Sequence, residues 1–121
     1  MVVHGEDGLD EISITGPTNI SEYKDFKINE YAICPEDFGI ASAPFEDIAA
    51  QSSEESLRMV QEAFAGEKSA VQDMIALNSG AALYIARKVD SISEGVELSF
   101  DLMNNGKAAD KLAAYVRVSN I

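Results

Sequence analysis

The stretch NISEYKDFKINEYAI, Asn19 to Ile33, alternates over Asn19–Lys24, turns at Asp25-Phe26-Lys27 and alternates back over Ile28–Ile33. A period of two is the signature of a strand with one buried face, so this segment predicts a β-hairpin. Asp25 suits the turn, whereas Phe26 stands where a glycine is expected. Pro35-Glu36-Asp37-Phe38-Gly39 then closes the strand-rich region, with Gly39 supplying a positive φ.

Upstream of the hairpin, Met1-Val2-Val3 reads as a short buried strand that starts at the first residue, which implies missing sequence before it. Ile12-Ser13-Ile14-Thr15 resumes strand-like alternation until Gly16-Pro17-Thr18 breaks it. Downstream, Ile40–Gln51 reads as a connection, and the periodicity then changes. Ser52-x-x-Glu55 forms a capping box, with Ser52 accepting from the Glu55 N–H and Glu55 reaching back. Leu57, Val60 and Phe64 follow at helical spacing, and Gly66 is the stop.

The strongest helix carries Val71, Met74, Ile75, Asn78, Ala82, Ile85 and Val89 on one face, with small residues Ser79, Gly80 and Ala81 permitting close packing. Ile92, Val96, Phe100 and Met103 define a third helix, ended by Asn104-Asn105-Gly106. Lys107–Val118 gives a fourth, with Ala108, Leu112 and Tyr115 turned inward. The expectation is one α/β unit, strand-rich over 1–51 and helical over 52–121. Four short strands cannot cover so much apolar helix surface, so the unit reads as a piece of a larger α/β domain.

Composition narrows the function. Nine basic against twenty-one acidic residues leave a net charge of −12, which repels nucleic acid and anionic membranes. No apolar run reaches the roughly 20 residues that span a bilayer, and the basic start and apolar core of a signal peptide are missing. Cys34 is the only cysteine, so neither an intramolecular disulfide nor a cysteine-based zinc site is expected. A cytoplasmic location is the simplest expectation.

Most catalytic constellations are missing. There is no phosphate-cradling glycine-rich loop and no HExxH. His4 closes an apolar strand and reads as a hydrogen-bonded structural residue, and Cys34 reads as a small packed side chain. The stretch His4–Glu11, HGEDGLDE, is different, with four carboxylates and two glycines in eight residues. Neighbouring side chains of a regular strand point to opposite faces, so Asp10 and Glu11 can meet one ion only where the backbone turns. Gly5 and Gly8 supply such a turn. Magnesium is usually held by one or two carboxylates, with waters and substrate phosphates completing its octahedron. A solvated acidic turn is the competing reading at this point, and the spacing does not match a calcium-binding EF-hand.

VVHGEDGLDEIS, EYAICPEDFGI, MIALNSGAALYIA and EGVELSFDLMNNGKAADKL resemble, in order and spacing, successive segments of the anthranilate phosphoribosyltransferase family. The resemblance runs from Val2 to about Val118 and covers only the C-terminal part of that family's large α/β domain, of the nucleoside phosphorylase/phosphoribosyltransferase type. It implies transfer of phosphoribose from phosphoribosyl pyrophosphate (PRPP) to anthranilate with magnesium, in tryptophan biosynthesis. The family's Asp-Glu pair after the His-Gly strand holds magnesium and matches Asp10 and Glu11, with Glu6 and Asp7 as solvated neighbours. The family's glycine-rich phosphate turn, its Lys-His-Gly-Asn segment and its helical domain have no counterpart here. The 121 residues are therefore expected to carry no catalytic side chain of their own, to be inactive alone, and to self-associate through uncovered edges. Two readings compete with this one: a non-catalytic acidic binding module of the same architecture, and a related phosphoribosyltransferase or nucleoside phosphorylase.

Overall fold

The computed structural model describes residues 1–120. Three strands come first, β1 (Val2–Gly5), β2 (Thr18–Lys24) and β3 (Lys27–Ile33), paired antiparallel in the order β1-β2-β3. Four helices follow: α1 (Ser53–Phe64), α2 (Ala70–Ile85), α3 (Ile92–Asn104) and α4 (Lys107–Ser119). Between sheet and helices lie two short 3-10 turns, Pro35–Phe38 and Phe45–Asp47. Gly39 ends the first with φ 70°.

The hairpin forms as its alternation predicts. Thr18, Ile20 and Glu22 face inward, and Lys24 pairs with Lys27 around a two-residue turn. Asp25 and Phe26 both have positive φ, 51° and 62°, which is the requirement of a type I′ turn. Phe26 meets it without glycine and stands 93% exposed. The N-terminal strand corrects the reading of Met1-Val2-Val3 as buried. Val3 faces the core side, while Val2 is 70% exposed on the outer face, next to His4, which is also exposed.

Ile12–Thr15 is not a strand. Its backbone groups are satisfied by side chains and by a distant loop rather than by a ladder. Asn78 takes both the N–H and the C=O of Ile12, Thr18 Oγ1 accepts from Ser13 N–H, and Ala43 N–H donates to the Ile14 carbonyl. Ile12, Ser13 and Ile14 are consecutively buried, which no strand at a sheet surface would allow. Apolar alternation alone could not separate these two outcomes.

Helices α1, α2 and α3 begin where serine caps them, while α4 starts after Gly106. Ser52, Ser69 and Ser91 accept from Glu55, Gln72 and Glu94 N–H groups. Glu55 departs from the expected box, since its carboxylate accepts from Gln51 N–H instead of Ser52; Glu94 does the same with Asp90. Helix α2 stops at Ile85, so Val89 lies beyond its apolar face. The N–H groups of Arg87 and Lys88 bond back to the Tyr84 and Leu83 carbonyls, a Schellman stop with Arg87 at φ 55° in the position glycine usually takes. Other face assignments also fail: Leu57 is 52%, Tyr115 69% and Ile85 47% exposed. Helix α2 buries Gln72, Ala76, Leu77, Gly80 and Ala81 rather than the stripe through Met74, Asn78 and Ala82.

The small residues of α2 do permit a close approach. A Cβ on Gly80 would lie 2.6 Å from Val96 N, and one on Gly95 would lie 2.3 Å from the Gly80 carbonyl oxygen. Helices α2 and α3 thus cross with backbones nearly touching, around Ala76, Leu77, Ala81, Val96 and Met103. Buried Gln72 ties the ends together, donating to the Ala63 carbonyl and to Asn104 Oδ1, each at 3.2 Å. No helix among the described residues is long and apolar enough to cross a membrane.

Candidate metal-ligating loop

The loop after β1 is built from its own second carboxylate. Asp7 Oδ1 accepts from Leu9 N–H at 3.0 Å, while Oδ2 accepts from the Ser13 hydroxyl and, at 2.7 Å, from the Thr15 hydroxyl. Asp7 is exposed, as its place in an acidic run implies, yet its carboxylate is engaged by the loop itself. Burial opposes its charge, but the bonds from Ser13, Thr15 and the Leu9 backbone outweigh that and hold its carboxyl below the usual carboxylate range. Gly5 leaves room for this carboxylate, because a Cβ there would lie 2.5 Å from Asp7 Oδ1 and would push it out of place. Gly8, at φ 93°, completes the turn, with Gly8 N–H on the Gly5 carbonyl and Gly5 N–H on the Leu9 carbonyl.

Asp10 and Glu11 follow at two successive bends, so the regular-strand objection to a shared ion does not apply. Both are exposed, and neither carboxylate takes part in a hydrogen bond or ion pair among the described residues. Both line one cleft of about 370 Å³ whose other wall is α2 and the Phe45–Ile48 turn, with Met74, Ile75, Asn78 and Ser79 facing in. The two residues singled out from sequence are thus brought to the same cavity. Among the described residues no group of three or more His, Cys, Asp or Glu forms a closed ligand cage. The arrangement is an open pair of free carboxylates on a fixed loop.

Glu22, Glu36 and Asp37 are engaged elsewhere in the fold, whereas Glu6, exposed in the same loop, makes no hydrogen bond or ion pair among the described residues. Glu22 is only 7% exposed and accepts from the Tyr31 phenol at 2.9 Å and the Tyr84 phenol at 2.7 Å. Lys24 Nζ in turn lies 2.7 Å from Tyr84 Oη and 5.0 Å from the centre of the Tyr84 ring. Burial and the Glu22 carboxylate push the Tyr31 phenol well up. Glu36 accepts from Ser42, and Asp37 from Cys34 N–H at 2.8 Å, so both serve the turn that contains them. Burial and the nearby carboxylates of Asp37, Glu36 and Glu6 push the Cys34 thiol up, which leaves it a poor nucleophile at neutral pH.

Sequence reasoning missed three residues that shape this region. Glu22 and Asp7 look like any other acid in so acidic a chain. Asn78 did carry a signal, as an amide on an otherwise apolar helix face.

An α/β chain with paired loop carboxylates facing a helix-walled cleft has clear relatives. The chain belongs to the glycosyl transferase family, a/b domain, whose sequence profile matches residues 1–109. Within it, the chain is 45% identical over 116 residues to the anthranilate phosphoribosyltransferase of Halorhodospira halophila, covering 96% of this chain and 34% of that protein. It is 42% identical over 120 residues to that of Nitrosomonas eutropha, covering 99% and 35%. The crystal structure of anthranilate phosphoribosyltransferase from Thermus thermophilus superposes with a TM-score of 0.86 at 34% identity, over 95% of this chain and 34% of that one. The Saccharomyces cerevisiae enzyme in complex with PRPP and Mg also gives 0.86, over 98% and 35%, at 21% identity, a likeness of fold alone. The chain spans about a third of the length of the curated relatives it matches.

Proposed function

We propose that this chain is the C-terminal segment of an anthranilate phosphoribosyltransferase and contributes the loop that holds magnesium through Asp10 and Glu11. The observation that carries this reading is the contrast inside the loop. Asp7 is consumed by internal hydrogen bonds, while Asp10 and Glu11 are left free and face one cleft. Exposed carboxylates without internal partners suit a hard cation that keeps waters and takes its remaining ligands from substrate phosphate, and they do not suit a metal needing a closed protein cage.

When bound, magnesium would offset the negative charge that develops on departing pyrophosphate as phosphoribose passes from PRPP to anthranilate. Asp10 and Glu11 act there as anchors that fix charge in place, and neither moves a proton. The chain presents no glycine-rich phosphate turn, and the apolar residues on its surface, among them Val2, Ile28 and Val118, support a reading in which further polypeptide or a second copy covers it. Alone, it is inactive.

Fragment complementation tests this. The portion of a related enzyme that lacks the matching segment is mixed with this chain and assayed for phosphoribosyl anthranilate formation. Turnover is expected from the mixture and from neither part alone. With D10N/E11Q it should fall by about a hundredfold or more, since electrostatic stabilisation of this kind is worth several kcal/mol. Turnover by the chain alone, or a mixture indifferent to D10N/E11Q, contradicts the proposal.

A further inference from the structure

Between its two ends the loop is fixed at Leu9 and again at Ile12, and the carboxylates of interest stand on the two residues between. At the first point Asp7 accepts from Leu9 N–H. At the second, a side chain sixty-six residues away does the work. Asn78 Oδ1 accepts from Ile12 N–H at 2.9 Å, and Asn78 Nδ2 donates to the Ile12 carbonyl at 2.8 Å. The amide thus pairs with one residue's backbone as a neighbouring strand would, satisfying both of its polar groups at once. Its remaining Nδ2 hydrogen goes to the Met74 carbonyl one turn back, at 3.0 Å, which locks the rotamer.

No other side-chain type does all of this from a helix. A leucine offers nothing, a carboxylate cannot donate to the Ile12 carbonyl, and a glutamine places the amide one methylene too far. Asn78 also lines the cleft that Asp10 and Glu11 line, reaching across from the α2 wall, so the clamp and the free carboxylates border one cavity. Helix α2 is itself immobilised by the Gly80 crossing two residues further on, which makes it a firm base.

We infer that Asn78 is a positioning residue for the cation site: it sets the direction of Asp10 and Glu11 by fixing Ile12, and contributes no ligand itself. The inference rests on the magnesium-loop reading above. Partners that orient ligands from behind typically cost about 10–100-fold in metal affinity when removed.

The test uses Mn2+ as the probe, on the 121-residue chain, followed by paramagnetic broadening of backbone amide signals. In the unmodified chain, broadening should centre on Leu9–Ile12. In N78L, Mn2+ affinity should fall by about 10–100-fold, and the Ile12 amide should exchange with solvent faster, while β2 and β3 amides keep their protection. A faster Ile12 amide with Mn2+ affinity unchanged within about twofold overturns the inference, because a merely structural role moves exchange but not affinity. If N78L does not fold, N78Q is judged by the same criteria. Absence of broadening at the loop in the unmodified chain refutes the magnesium reading together with this inference. Broadening there with no change in either variant refutes the inference alone.

Discussion

Helix α2 receives acidic residues at two places, and they are treated in opposite ways. Near its C-terminal end, Tyr84 meets Glu22, a buried carboxylate whose two oxygens are each occupied by a phenol, with Lys24 close behind. Near its middle, Asn78 meets the backbone of the acidic loop and leaves the adjacent carboxylates of Asp10 and Glu11 in open solvent. A carboxylate that is buried must be paired, and once paired it has no capacity left for a ligand. Free carboxylates held on a fixed backbone keep theirs. The first contact latches the hairpin to the helices, and the second presents charge.

Breaking the latch should give the largest loss of stability. E22A leaves two phenols without their acceptor and is expected to cost about 1–3 kcal/mol. Chemical denaturation measures this, and Mn2+ affinity at the loop should stay unchanged. A matching loss of metal affinity would mean that the two contacts are not separate devices. D10N/E11Q should behave in reverse, abolishing the Mn2+ response while thermal stability holds or rises slightly, since two like charges side by side are removed.

Asp7 sharpens the comparison through pH. Its folded-state carboxyl titrates below the ordinary value of 3.8, so the unfolded chain binds its proton first as pH falls. The stability it contributes is complete above that value and is lost as pH drops through the lower, folded one. Melting curves of the parent chain and D7N should therefore differ at neutral pH and converge toward strongly acidic pH. Parallel curves across that range would contradict the assigned bonds.

The smallest effect belongs to the turn. F26G relieves a left-handed residue whose side chain packs on nothing, and the gain is partly offset by the freedom glycine adds to the unfolded chain. A net gain of about 0.5–1 kcal/mol is expected by denaturation, and a loss would show that Phe26 makes contacts in solution.

Much of this architecture was legible in the residues. The period-two run through Asn19–Ile33, the Ser52 cap and the helical periodicity of α2 and α3 are local signals, and local signals survive folding. The stripe that α2 buries, however, is set by its packing on α3 at Gly80 and not by the spacing of its large apolar residues. The resemblance carried by HGEDGLDE and PEDFG located the loop. What could not be read was set by partners distant in sequence. Ile12–Thr15 has the pattern of a strand, and only the amide of Asn78 and the carbonyl acceptor at Ile14 decide otherwise. Glu22 sits on an alternating strand among many acids, and its burial depends on two tyrosines nine and sixty-two residues away. Leu57 and Tyr115 obey helical spacing but lie on the surface of this chain, because an apolar stripe does not name what covers it.

The most direct test compares amide proton–nitrogen correlation spectra recorded without and with magnesium and PRPP. Shifts confined to Gly8–Ile12, with Glu22, Tyr31 and Tyr84 unmoved, are the result expected of a loop that holds the cation and a latch that does not. Shifts centred on the latch, or a loop that stays silent, would contradict it.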